Sequence, residues 1–167
     1  MTIPDNSLLS SLRRNHGLEH ATINILAQRF PHRGLAGISF PGGFFIFGNL
    51  PTDDLREAVI QAHMRLANGE SRLAIHDHCG TNYVTSGIVA GLLAWFGMAG
   101  ASRKRDRLER LPLVIALVTL GFIASQPLGP VIQKHITTSG DPQGMTIQDI
   151  YALKFGQVSF HRVVTRG

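Results

Sequence analysis

The 167-residue sequence has a single cysteine, Cys79, which excludes an internal disulfide framework. A lone thiol between His76, His78 and a long apolar run fits a metal ligand or a reduced compartment. Formal charge is missing from two further stretches, Cys79 to Ser102 and Leu111 to Gln133. A bilayer core needs about 20 apolar residues per helix, and both stretches reach that length, so two membrane spans are expected over 83–101 and 111–129. No charged residue interrupts either span, which removes the usual mark of an ion or proton path and argues against a transporter or channel. A cleavable signal peptide is also missing, because Met1 to Ser7 is polar and the first apolar residues belong to an amphipathic stretch. Net charge is +5, but the basic residues are dispersed except at Arg103-Lys104-Arg105, Arg107 and Arg110. A short loop, 102–110, between two spans accounts for that cluster through the positive-inside tendency, so no nucleic-acid partner is expected.

The residues most informative about chemistry are His16-Gly17-Leu18-Glu19-His20. On a helix, side chains at i and i+4 share a face and i+3 falls on the same side, so His16, Glu19 and His20 point into one small volume. Two neutral imidazoles suit Zn²⁺, and a neighbouring acid can take a proton from water that the metal activates. The pattern is the H-x-x-E-H arrangement of one class of zinc proteases. By itself it arises readily by chance. His76-Asp77-His78-Cys79 supplies what it lacks: two more imidazoles and the thiol. Structural zinc sites take four N or S ligands, and catalytic ones take three plus an open position. The expected ligands are therefore His16, His20, His76 and Cys79, with His78 as an additional donor and Glu19 as the catalytic base. The competing reading makes Cys79 a small buried apolar residue and the histidines ordinary polar positions.

Around these motifs the pattern predicts an α+β fold: a small α-β-β-α-β metal-binding module (1–82), a two-helix transmembrane hairpin (83–133) and a short αβ tail (134–167). Leu8, Leu9, Leu12, Leu18, Ile25 and Leu26 give helical spacing up to Phe30, where Pro31 stops it. Leu35–Phe40 and Phe44–Phe47 read as strands joined at Pro41-Gly42-Gly43. A second helix opens with Thr52 as its cap and carries Leu55, Ala58, Val59, Ala62 and Leu66 on one side. Arg72–Ile75 is expected as a third strand delivering His76. In the tail, Thr146–Lys154 is expected as a helix closed by Gly156, and Gln157–Thr165 as a strand able to join the N-terminal sheet. His161 is expected on that strand's surface. Gly87-x-x-x-Gly91 allows close helix approach in lipid, either to the second span or to another copy in a homo-oligomer. Pro127 and Pro130 end the second span.

Three blocks together resemble the YqhQ-like domain-of-unknown-function family of bacterial membrane proteins, described as predicted metal-dependent enzymes, or its smaller sister family. His16-Gly17-Leu18-Glu19-His20-Ala21-Thr22-Ile23 is similar to that family's His-Gly-x-Glu-His-x-Thr-Ile. His76-Asp77-His78-Cys79-Gly80-Thr81-Asn82 is similar to its His-Pro-x-Cys-Gly-Thr block, with Asp77 in place of the proline and an extra imidazole at His78. Pro127 to Thr138 is similar to a third block that follows the membrane segments. The resemblance implies a multi-pass protein of the bacterial inner membrane and a metal bound through His16, His20, His76 and Cys79 near Glu19. It carries over no activity. The residues point to a zinc-dependent hydrolase or peptidase working at the membrane surface on membrane proteins, peptides or lipid-derived amphiphiles. The alternative is a membrane-anchored scaffold with a closed structural metal site.

Overall fold

The structure, a computed structural model, describes residues 8–156 and 158–167. Met1–Ser7, read above for a signal peptide, and Gln157, expected to open the last strand, lie outside the described residues. The described residues form a mixed α+β structure of five α-helices and one four-stranded antiparallel sheet. They divide into two units: the chain up to His76 together with Lys134–Gly167, and Asp77–Gln133.

In the first unit, α1 (Leu8–Arg29) buries Leu18, Ile25 and Leu26, as their helical spacing predicts. Helix α2 (Thr52–Ala67) buries Leu55, Ala58, Val59, Ala62 and Leu66 and packs beside α1. Strands β1 (Ala36–Phe40), β2 (Gly43–Phe47), β3 (Thr146–Phe155) and β4 (Val158–Arg166) lie in the order β1-β2-β4-β3. The tail thus joins the N-terminal sheet through β4, which pairs with β2 from Gly43↔Val164 to Phe47↔Phe160. Phe44, Ile46, Ile150 and Val163 meet the helices in one apolar core. On the opposite side of the sheet, the rings of Phe47 and Phe160 stack at 5.5 Å, and the Arg162 guanidinium lies 3.8 Å from the centre of Phe40.

Four expectations for this unit are corrected. Arg72–Ile75 is not a strand: Ser71–Ala74 is a 3₁₀ turn leading into an extended Ile75. Its carbonyls are taken by side chains of α1, with Asn24 donating to Leu73 and Ile75, so no sheet ladder is needed to satisfy them. Thr146–Lys154 is not a helix but most of β3. A register shift at Ile147/Asp149 puts Ile147 and Ile150, three residues apart, on one face of the strand, while Leu153 pairs with Phe160 on the other, and together the three imitate a helical spacing. Thr52 does not cap α2, since Pro51 holds the cap position and the Thr52 hydroxyl is engaged with His161 Nε2 at 3.1 Å. His161 is therefore not on the surface: β4 is an interior strand whose inner face carries His161, Val163 and Thr165, and His161 is 2% exposed.

The second unit is a helical hairpin of α3 (Gly80–Met98) and α4 (Lys104–Ser125), followed by the short α5 (Leu128–Ile132). Segment 102–110 is mostly helix rather than loop. The Asp106 carboxylate accepts from the Arg103 backbone N–H at the start of α4, and Arg105 pairs with Glu109 one turn apart. The expected span 111–129 is likewise interrupted at Ser125, ahead of Pro127 and Pro130. Among the described residues, α4 alone is long and apolar enough to cross a membrane. Helix α3 is shorter and starts with the polar Thr81-Asn82. The two helices approach at Gly97, which leaves room for Val114 and Leu117, and at Gly121, which leaves room for Leu93 and Val89. Gly87 and Gly91, expected to make this contact or one with another copy, face open space.

Candidate metal centre

Helix periodicity brings the two imidazoles of α1 together. The rings of His16 and His20 lie edge to face with centroids 4.3 Å apart, and each offers a ligand nitrogen within 4.8 Å of the other's. The His76 ring stands 5.7 Å from that of His20. All three rings are anchored in the same way. Nδ1 of His16 donates to the Thr137 carbonyl at 3.0 Å, and Nδ1 of His20 donates to the Ala74 carbonyl at 2.9 Å. Nδ1 of His76 lies 2.9 Å from Asn24 Oδ1. The Asn24 amide is itself oriented, because its Nδ2 donates to both Leu73 and Ile75 carbonyls at 3.0 Å, leaving Oδ1 to accept from His76. A carbonyl has no proton to give, so each Nδ1 carries the hydrogen and the neutral ring keeps its lone pair on Nε2. An acceptor behind Nδ1 is the usual means of orienting a metal-binding imidazole.

Two glycines make this arrangement fit. A Cβ on Gly17 would strike the Ser139 carbonyl, so glycine there lets the Thr137–Ser139 segment lie directly on α1. That docking is fixed by the Ser139 N–H donating to the Arg13 carbonyl at 2.9 Å and by Arg13 Nη2 donating to the Thr138 carbonyl at 3.1 Å. It brings the Thr137 carbonyl to His16. Gly37 on β1 performs the same service for Glu19, whose carboxylate occupies the space a Cβ would fill.

Glu19 is 4% exposed and accepts a short hydrogen bond from the Ser39 hydroxyl. Burial raises its pKa above the ordinary carboxylate value, outweighing the opposing effects of the Ser39 hydrogen bond and of nearby His16. The α1 face thus carries two lone-pair donors beside a carboxyl group that holds its proton more tightly than usual.

In the second unit, Cys79 occupies the cap position of α3, where its Sγ accepts from the Thr81 N–H at 3.4 Å. The amino end of a helix suits a negatively charged ligand. Two residues separate Cys79 from His76, so the chain alone keeps their Cα atoms within about 11 Å. His78 is exposed. Sequence reasoning missed the residues behind the ligands: Asn24, Ser39, Gly37 and the carbonyls of Ala74 and Thr137. Asn24 carried a readable signal, because it follows His16 and His20 at the same four-residue interval on α1.

Comparison with known proteins places the chain. Residues 11–150 match the family described as Domain of unknown function (DUF6391). The chain belongs to DUF6391. An uncharacterized protein of Picosynechococcus sp. (strain ATCC 27264 / PCC 7002 / PR-6) is 34% identical over 160 residues, covering 89% of this chain and 75% of that relative. No solved structure matches. The matched DUF6391 region includes His16, Glu19, His20, His76 and Cys79 and the whole helical hairpin.

Proposed function

We propose that this DUF6391 protein is a membrane-anchored metalloprotein in which His16 and His20 on α1 hold a divalent ion, with the Cys79 thiol as the further donor its sequence motif supplies, and Glu19 transfers a proton in a hydrolytic reaction. The observation that carries the reading is the shared anchoring of the imidazoles, each with Nδ1 against an acceptor and the lone pair on Nε2. Buried histidines that serve only packing have no need of one common tautomer. Two imidazoles and a thiolate are borderline-soft donors, which suits zinc better than magnesium or calcium. The resemblance of the motif blocks to the YqhQ-like group supports the expectation of a metal. A divalent ion would supply Lewis acidity. Glu19, whose burial raises its pKa, would accept a proton from water and return it to a leaving group.

The membrane part of the reading rests on the hairpin. Val84, Ile88, Leu92, Trp95 and Phe96 of α3 and Leu113, Ile115, Leu120 and Ile123 of α4 are all exposed. Apolar surface of this extent calls for lipid or a partner. With α3 as the second span, the protein is multi-pass in the cell membrane and both ends of the hairpin return to one face. Substrates at that face are membrane proteins, peptides or lipid-derived amphiphiles.

A second reading is favoured by the Asn24–His76 hydrogen bond: His76 is oriented as carefully as the others, and as a fourth ligand it closes the site into a structural one. Metal analysis of the full chain in nonionic micelles tests both readings. One equivalent of metal is expected in the parent, with loss in His20→Ala and Cys79→Ser. Full metal in both variants overturns the metal centre. Glu19→Gln should retain metal and lose hydrolysis of an activated ester. A parent without hydrolysis whose His76→Ala variant loses metal supports the closed site instead.

A further inference from the structure

A second concave site lies within the first unit, and Ala74, whose carbonyl anchors His20, is part of its lining. This cavity, about 650 Å3, is of ligand size and is walled by the 3₁₀ turn and by Lys134–Asp141. Arg13, Arg72 and Lys134 line it against one acid, Asp141, giving a local charge of 3 − 1 = +2. Among the described residues the ion pairs are Arg29–Glu57, Arg65–Glu70 and Arg105–Glu109, and none involves these three cations. Arg13 also keeps a buried Nε–H for which the described residues supply no acceptor. A buried donor of this kind is costly unless a ligand or water accepts from it.

We propose that this cavity binds a phosphate group, with Arg13, Arg72 and Lys134 as its counter-charges. A charge of +2 complements a phosphate monoester, which carries about −1.5 to −2 near neutral pH, better than it does a single carboxylate. A guanidinium pair with an ammonium is a common phosphate-binding set, the guanidinium giving two-point hydrogen bonds and the lysine a point charge. The phosphate has two sources. The chain leaves this unit after His76 and re-enters at Lys134, and Ile75 and Lys134 both line the cavity. One source is a lipid headgroup, and the other is a soluble phosphate ester.

The test uses the full chain with its metal retained, so that a failure of the phosphate site is distinguishable from a failure of the metal centre. Inorganic phosphate is titrated calorimetrically into protein in maltoside micelles, and into nanodiscs of phosphatidylcholine alone. Binding to nanodiscs with and without phosphatidic acid is measured in parallel. Arg72 and Lys134 are exposed, so Arg72→Gln and Lys134→Gln should leave folding and metal content unchanged. Each is expected to weaken binding at least about tenfold, the size of one lost charge-assisted hydrogen bond. Saturable binding of inorganic phosphate with that loss assigns a free phosphate group. Binding confined to phosphatidic acid nanodiscs, with the same loss, assigns a lipid headgroup. Absence of both, or equal binding by parent and variants, overturns the site.

Discussion

The two units of this chain solve the problem of burial in opposite ways. The first keeps apolar residues inside, with Leu18, Leu26, Phe44, Ile46, Leu55, Val59 and Val163 all essentially inaccessible. It also accommodates buried polar groups, including Asn15, Glu19, His20 and His161, by giving them hydrogen-bond partners from distant parts of the chain. In the second, the buried positions include Thr85, Ser86, Gly97, Gly121, Ser125 and Gln133 beside Val114, while most of the large aliphatic and aromatic side chains are exposed. Its helices are held together by close contact at glycines and by the Ser86–Ser125 hydroxyl pair at 2.8 Å. That pattern suits an apolar solvent, where packing and interhelical hydrogen bonds replace the hydrophobic effect as the source of association. The first unit hides its large apolar side chains, and the second leaves most of them on its surface.

The sharpest way to break this contrast is to change one apolar residue in each unit. Phe44→Ala removes a fully buried ring and should destabilise the first unit by about 3–5 kcal/mol, seen as a lower denaturation midpoint. Ile115→Lys changes a side chain that is 63% exposed, and for a water-facing helix such a change is worth no more than about 0.5 kcal/mol. In a bilayer it costs about 2.5–3.5 kcal/mol. The expected outcome is release of Ile115→Lys protein, and not of the parent, from membranes at alkaline pH. Equal retention of both would place that face of α4 outside the lipid.

A smaller effect probes the buried polar side of the comparison. Burial lowers the pKa of His161 below the ordinary histidine value of about 6.5. Near and below that value the unfolded chain takes up a proton that the folded chain refuses, so this group's contribution is fully present above about pH 6.5 and declines as pH falls towards the folded pKa. Thermal denaturation across pH 5 to 8 should show a steeper acid-side loss for the parent than for His161→Gln. Parallel curves would mean that His161 titrates normally in the folded protein. The smallest effect belongs to the hairpin: Ser86→Ala removes one interhelical hydrogen bond and should cost only about 0.6 kcal/mol, read as a modest drop in the unfolding midpoint in micelles. A cost several times larger would make the serine pair a main support of the hairpin.

The regularity of local structure explains what could be read early. Histidines at positions 16 and 20 share a face in any helix, and the spacing of Leu55, Ala58, Val59, Ala62 and Leu66 fixes the buried side of α2 wherever it packs. The errors came where local spacing was ambiguous or backbone groups found unexpected partners. Ile147, Ile150 and Leu153 are spaced like one side of a helix, yet the register shift in β3 puts only the first two on one face of a strand, and Leu153, opposite Phe160, lies on the other. The 3₁₀ turn resembled a strand because Leu73 and Ile75 are apolar, while Asn24 and His20, about fifty residues away, satisfy its carbonyls.

By itself the sequence determined the candidate donors, the helix face that gathers His16 and His20, the two-residue tether between His76 and Cys79, and the two charge-free stretches of the hairpin. Only the tertiary structure decided the environment of those donors: which carbonyls fix the imidazole tautomers, that Gly37 opens a berth for Glu19, and that His161 lies inside rather than on the surface. The physical reason is range. A donor's identity and its neighbours one turn away are set by covalent order and helix pitch. Its hydrogen-bond acceptor and its exclusion from water come from segments such as Thr137 and Ser139, more than a hundred residues away in sequence, which meet α1 only in the folded chain.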